Sequence, residues 1–272
     1  MTQLRHQLGD GLPLNPDVAQ PPFPVWMSLP AAWSLLDTNP GTWRRSADEL
    51  IDTTFRGSKL PAVDRKTFLG FFESLVADCQ AAGACVSLIT VGRREGGGAA
   101  SAGLHLAFAD DGAPASLGRV QDMVPRAGTR TELELPLGPA LLQRERMTML
   151  IPGTGTLAAL TSLQIFLPIP DTTWTAVLAS ASAYPELTDR LETLLVEIAR
   201  SVRVELPSGD GNPGKQPPGG DGDPEAQPPG GDGNPGERPP GGDGSVGPRI
   251  EDGFDGLVTR RIGPHEEGRH HG

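Results

Sequence analysis

Lysine is nearly missing from this sequence. Only Lys59, Lys66 and Lys215 contribute it among 23 basic residues, the rest being arginine, while Ala, Gly and Pro abound. That bias reflects a GC-rich coding sequence and carries no mechanism. Positive charge is short as well. Residues 1–206 hold 17 Lys+Arg against 22 Asp+Glu, residues 207–272 hold 6 against 12, and the whole chain carries −11. An acidic balance in both parts argues against nucleic acid as a partner, because binding phosphates needs clustered cations. It argues equally against docking on anionic lipid. Long apolar runs are also wanting: none approaches the ~18–20 residues that span a bilayer. No charged stretch followed by an apolar core opens the chain, so no secretory signal is read and a cytoplasmic location is expected. Cysteine occurs twice, and histidine once (His105) between residues 22 and 206.

What is present divides the chain unevenly. Residues 1–21 are polar and proline-punctuated, and read as a flexible tail. Residues 22–206 have the composition of one globular domain. Residues 207–248 contain 14 glycines and 11 prolines in 42 positions, too little apolar matter to offset ordering entropy. They repeat Gly-Asp-Gly-(Asn/Asp)-Pro-x-x-x-Pro-Pro-Gly at 209–219, 220–230 and 231–241. Glycine does not fall at every third position, which excludes a collagen helix, and no apolar face is available to stack a solenoid. A disordered linker is expected. Residues 249–272 read as a flexible end, in which Ile250, Phe254, Leu257, Val258 and Ile262 form either an unstructured cluster or a short motif that orders on a partner.

Within the domain, Thr156–Val204 carries the clearest pattern. Leu163, Ile165 and Leu167 fall on one face of an extended run, Pro168–Thr172 breaks it, and Thr173–Ala181 returns, which reads as an antiparallel hairpin. Pro185 then suits the first turn of a helix, whose Leu187, Leu191, Leu194, Leu195, Ile198 and Val202 make a one-sided stripe that needs an apolar surface beneath it. Upstream, Phe23–Leu29 reads as a strand, placed at a sheet edge by Pro22 and Pro30, with Trp33–Leu36 continuing it. Helices are expected from Trp43 to Phe55 (Thr42 capping, Gly57 closing) and from a cap at Asp64 to a stop at Gly83. Strands follow at Cys85–Val91, around Leu104–Phe108, at Arg130–Pro136, at Ala140–Arg146 and at Met147–Ile151, with a short helix at Leu117–Val124. The fold class is α+β: a largely antiparallel sheet packed by helices, followed by a disordered Gly/Pro/Asp-rich tail.

Chemistry-bearing motifs are few. Gly153-Thr154-Gly155-Thr156-Leu157-Ala158 matches the permissive G-x-G-x-x-A form, with Asp171 downstream, but no strand–helix–strand series surrounds it; a hairpin turn is the better account. Gly96-Gly97-Gly98 lacks the lysine of a phosphate loop and reads as a flexible loop. Cys79 and Cys85 have neither redox nor zinc spacing, and are expected as two buried thiols, with a bridge as the alternative in an oxidising compartment. His105 lies opposite Leu104, Leu106 and Phe108 in its strand, at a surface or pocket-lining position. His265, His270 and His271 form no preorganised site. Glu132 and Glu134 share one face, as do Arg144 and Arg146 on the neighbouring strand, and read as cross-strand ion pairs.

The pieces Leu29-Pro30-Ala31-Ala32-Trp33, Phe166-Leu167-Pro168-Ile169-Pro170 with Trp174, and Ile198-Ala199-Arg200-Ser201 resemble the Mog1/PsbP-like domains and similar actinobacterial proteins. The resemblance implies an antiparallel sheet flanked by helices, used for binding or assembly without a shared catalytic site, and transfers no residue roles.

The leading expectation is a non-enzymatic interaction or assembly module with an unknown protein partner and no cofactor, catalytic or metal residues. Trp26, Trp33 and Trp43 are its candidate interaction surface where unburied. The alternatives are a small-molecule binding protein or hydrolase with a pocket at the sheet edge near His105, and an accessory factor of a specialised secretion system.

Overall fold

A computed structural model describes residues 18–39, 41–56, 60–93, 99–151, 156–182, 184–206, 249–250, 254 and 256–262. In chain order the elements are β1 (Val25–Pro30), β2 (Ser34–Leu35), α1 (Trp43–Thr54), α2 (Ala62–Ala81), β3 (Ala84–Arg93), β4 (Ala99–Asp110), α3 (Leu117–Met123), β5 (Thr129–Leu135), β6 (Gly138–Ile151), β7 (Thr156–Pro168), β8 (Trp174–Ser182), α4 (Pro185–Ser201), β9 (Arg203–Val204) and β10 (Leu257–Ile262). Two antiparallel sheets result, one of seven strands in the order β2-β3-β4-β8-β7-β6-β5 and one of three in the order β10-β1-β9. The fold is α+β.

The hairpin-and-helix unit read from Thr156–Val204 is there. β7 and β8 pair through Ile165↔Leu178 and Leu167↔Ala176, and α4 lays Leu187, Leu191, Leu194, Leu195 and Ile198 against their apolar face, all buried. Pro185 occupies the first turn of α4, Glu186 stands near its N-terminus and Arg200 near its C-terminus, matching the helix dipole. The three-stranded sheet lies on the same side of the large sheet as α4. The opposite side is covered at one end by α1 and α2 and at the other by α3. Each fully buried Leu or Ile contributes about 1.5–3 kcal/mol by leaving water, so the cluster shared by the two sheets and α4 is the main cohesive element.

Several expectations are corrected. β1 is central in its sheet, since Val25 pairs with both Val204 and Ile262. Pro24 and Pro30 fall at its ends, where a missing N–H breaks no ladder bond between them. The chain does not continue β1 beyond Trp33; β2 crosses to the large sheet and pairs Leu35 with Leu88. The Thr42 side chain makes no cap bond in α1; its hydroxyl donates to Asp37 Oδ2 at 2.5 Å. Helix α2 begins at Ala62 after Pro61, with Asp64 in its first turn, and Gly83 ends it in the left-handed region (φ +63°) that glycine adopts without strain. Strand β6 is one continuous fourteen-residue strand rather than two.

The largest departure concerns the C-terminal end. β10 pairs along the whole of β1, from Val25↔Ile262 to Pro30↔Leu257. Ile250 and Ile262 are fully buried, and Phe254 meets Trp33 edge-on with ring centroids 5.8 Å apart. The apolar cluster at 250–262 therefore orders on its own domain. Residues 207–248, like 1–17 and the histidines at 265, 270 and 271, lie outside the described residues.

Candidate functional site

The register of the large sheet sorts its side chains into two faces. On the face that carries α1, α2 and α3 a polar row crosses six strands: Ser87↔His105, His105↔Ala179, Ala179↔Gln164, Gln164↔Gln143 and Gln143↔Arg130. Both ends of the row hold structure. Ser87 Oγ donates to Cys79 Sγ at 3.1 Å, tying α2 to the sheet. Gln143 Nε2 donates to the Pro125 and Ala127 carbonyls at 3.1 and 2.8 Å, and Arg130 donates to the carbonyls of Gln121 and Val124 at the end of α3. Next to Ser87 in the row stands His105, partly buried, with an enclosed Nδ1 that has no hydrogen-bond partner among the described residues. Burial holds its pKa down at about 4, because a low-dielectric site disfavours the imidazolium.

His105 is thus central in the sheet, not at its edge. An open cleft of roughly 260 Å³ does lie at the β5 edge, lined by Gln121, Asp122, Arg126, Arg130, Glu132 and Leu141. It is four strand steps from β4, about 19 Å at ~4.8 Å per step, so it brings no group to His105. Among the described residues no three of His, Cys, Asp and Glu stand close enough to hold a metal. Cys79 and Cys85 are both free and buried. Burial raises their thiols to about 11 and about 12, the Cys79–Ser87 contact opposing the shift at the first, so neither is an activated nucleophile.

The ion pairs read between β5 and β6 are not formed. Glu132 stands opposite Leu141 and Arg144 opposite Thr129, which places Arg144 on the other face; there it pairs with Asp189 at 3.4 Å and Glu192 at 3.2 Å on α4. Glu132 instead accepts from Gln121 Nε2 at 2.7 Å. The G-x-G-x-x-A stretch begins in residues 152–155, outside the described residues, but its flanks settle its context: Ile151 pairs with Thr156 in an antiparallel hairpin, and no helix follows.

The three tryptophans do not share a surface. Trp33 is buried at 1% exposure, covered by Phe254 from far along the chain, and leaves the candidate set. Trp43 is half-buried at the start of α1, with Arg44 lying 5.9 Å from its ring. Trp26 is half-buried on the outer face of the small sheet.

A different feature stands out. Strand β5 accompanies β6 only as far as Arg144, and β8 accompanies β7 only from Thr161. Beyond those points, among the described residues, Met147–Ile151 and Thr156–Leu160 pair only with each other. This two-stranded ribbon of five residues on each strand overhangs the sheet by roughly 16 Å at ~3.3 Å per residue. Met147 is 39% and Leu157 68% exposed upon it. The sequence of these ten positions holds Met147, Met149, Leu150, Ile151, Leu157 and Leu160 and no charged residue. A lone ribbon is marginal in water, and unpaired strand edges are templates for further pairing. The apolar strands were readable in sequence; their lack of neighbours was not.

No protein-family model matches the chain, and a comparison with curated proteins finds no match.

Proposed function

We propose that this chain is a non-enzymatic protein-interaction or assembly module, with the β6–β7 ribbon as its principal contact element. The observation that carries the reading is the overhang itself: two strand edges unpaired among the described residues and exposed apolar side chains, Met147 and Leu157, on a ribbon that neither β5 nor β8 accompanies. A partner protein covering the ribbon, or adding a strand to it, removes apolar surface from water and fills the open ladder at once. Kinship with the Mog1/PsbP-like domains belongs to this proposal, and a helix-flanked antiparallel sheet is compatible with it. So does residence in the cytoplasm, which two free cysteines suit. Net charge of −11 favours protein over nucleic acid as the partner. No helix among the described residues is long and apolar enough to cross a membrane.

A second reading, a small-ligand protein, rests on the cleft at the β5 edge and does not involve His105. Comparing the native chain with a Met147→Lys/Leu157→Lys variant separates the two. With folding checked by thermal melts, a protein retained by the native chain in affinity capture from its host is expected to be lost with the variant. Equal retention by both would remove the ribbon from the proposal. Retention by neither, with the native chain monomeric in sedimentation, would favour the cleft.

A further inference from the structure

We propose that the outer face of the three-stranded sheet docks an acidic segment of a partner protein, through Trp26 set between Arg203 and Arg261. The surface is separate from the ribbon and does not depend on it. On β1, Val25, Met27 and Leu29 point inward and are buried, so Trp26 and Ser28 point outward. Register places Arg261 of β10 and Arg203 of β9 directly opposite Trp26, one on each side. At ~4.8 Å per strand the three side chains span about 10 Å. The Arg261 guanidinium lies 5.9 Å from the Trp26 ring centroid, within cation–π range. One step along, the Ser28 and Thr259 hydroxyls bond to each other at 3.1 Å.

Two observations on this face point to a missing acceptor. Among the described residues, Trp26 Nε1 and Arg261 Nε are both enclosed with no hydrogen-bond partner, and unfilled donors side by side are uncommon in native structures. Among the described residues, no carboxylate ion-pairs with Arg203 or Arg261. Carboxylates supply acceptors and charge together, and bind guanidinium groups more strongly than neutral acceptors do. Charge complementarity decides the class of occupant. The chain as a whole carries −11, so two arginines flanking an indole, neither ion-paired among the described residues, form a local positive site on an acidic body. A short acidic peptide meets the site alone, whereas a long polyanion also meets the repelling remainder. In an extended peptide, carboxylates two or three residues apart stand about 7–10 Å from each other, the separation that the Arg203–Trp26–Arg261 line offers.

The test uses the full-length chain and a fluorescein-labelled peptide of alternating glutamate and glycine, followed by anisotropy at low and at physiological salt. Binding that weakens steeply with salt is expected. Arg203→Gln/Arg261→Gln should lower affinity at least tenfold and Trp26→Ala severalfold, with melting temperatures near the native value; Arg200→Gln, on the neighbouring helix end, should change little. Absence of peptide binding at low salt, or binding unaffected by the arginine pair, would overturn the proposal. Tighter binding of a single-stranded oligonucleotide through the same arginines would also overturn it, in favour of nucleic acid. Should a chain lacking residues 209–241 bind the peptide when the full chain does not, the occupant is the protein's own acidic repeat and the partner assignment fails.

Discussion

In the large sheet, β3 and β4, β5 and β6, β6 and β7, and β7 and β8 are all chain neighbours joined by hairpins. In the small sheet, Val25 lies between Val204 and Ile262, so its three strands come from the two ends of the domain and from beyond the repeat. Hairpin contacts form at little loop-closure cost, while distant ones carry the closure entropy of the whole intervening chain. The small sheet nevertheless contributes Val25, Met27, Leu29, Ile250 and Ile262 to the central core. The large sheet is locally encoded apart from its β4–β8 seam, and the closure of the small sheet is not.

The sharpest way to break that comparison is to end the chain at Leu206. This removes β10, Ile250 and Ile262 and uncovers Trp33. Two buried isoleucines at about 1.5–3 kcal/mol each, plus six residues of strand pairing, amount to a large fraction of the 5–15 kcal/mol that holds a typical domain. The truncated chain should unfold at much lower urea or fail to fold. Stability equal to the full chain would mean that β10 is dispensable.

A smaller effect probes the large sheet. His105 is neutral when folded, with its pKa held near 4 by burial, against about 6.5 when unfolded. The unfolded chain therefore binds the extra proton between those values. Stability should be unaffected above pH 6.5 and decline as pH falls towards 4, by roughly 3 kcal/mol at most. The difference in unfolding free energy between the native chain and His105→Gln should change over that window and stay constant above it; a constant difference throughout would show an unperturbed histidine.

The smallest effect is expected from deleting residues 220–230, one repeat unit. For a random-coil connection, shortening from 42 to 31 residues alters closure entropy by only ~0.3 kcal/mol. Equilibrium unfolding that moved by more than about 1 kcal/mol would show that the repeat makes contacts of its own.

How much was legible follows the same division. Alternation in Leu163–Leu167 and the stripe from Leu187 to Ile198 gave β7 and α4, because each pattern is complete within a few turns of chain. The apolar residues of 250–262 were visible as a cluster, but Leu257-Val258-Thr259-Arg260-Arg261-Ile262 does not alternate, and nothing nearby pairs with it. With β10 unplaced, the burial of Trp33 and the setting of Trp26 could not be read. The ribbon was half legible: its strands show in the residue pattern, yet its exposure depends on where β5 and β8 stop.

The chain leaves the small sheet after β9 and returns to it at β10, both strands held by β1. An insertion or loss of eleven residues within 209–241 shifts the register of no described strand and removes none of the described core positions. The repeat number is therefore free to drift by unit exchange between near-identical coding segments, while the folded body stays the same. Related chains should differ most in length at this one place, with whatever reach or charge the added units bring acquired independently of the fold.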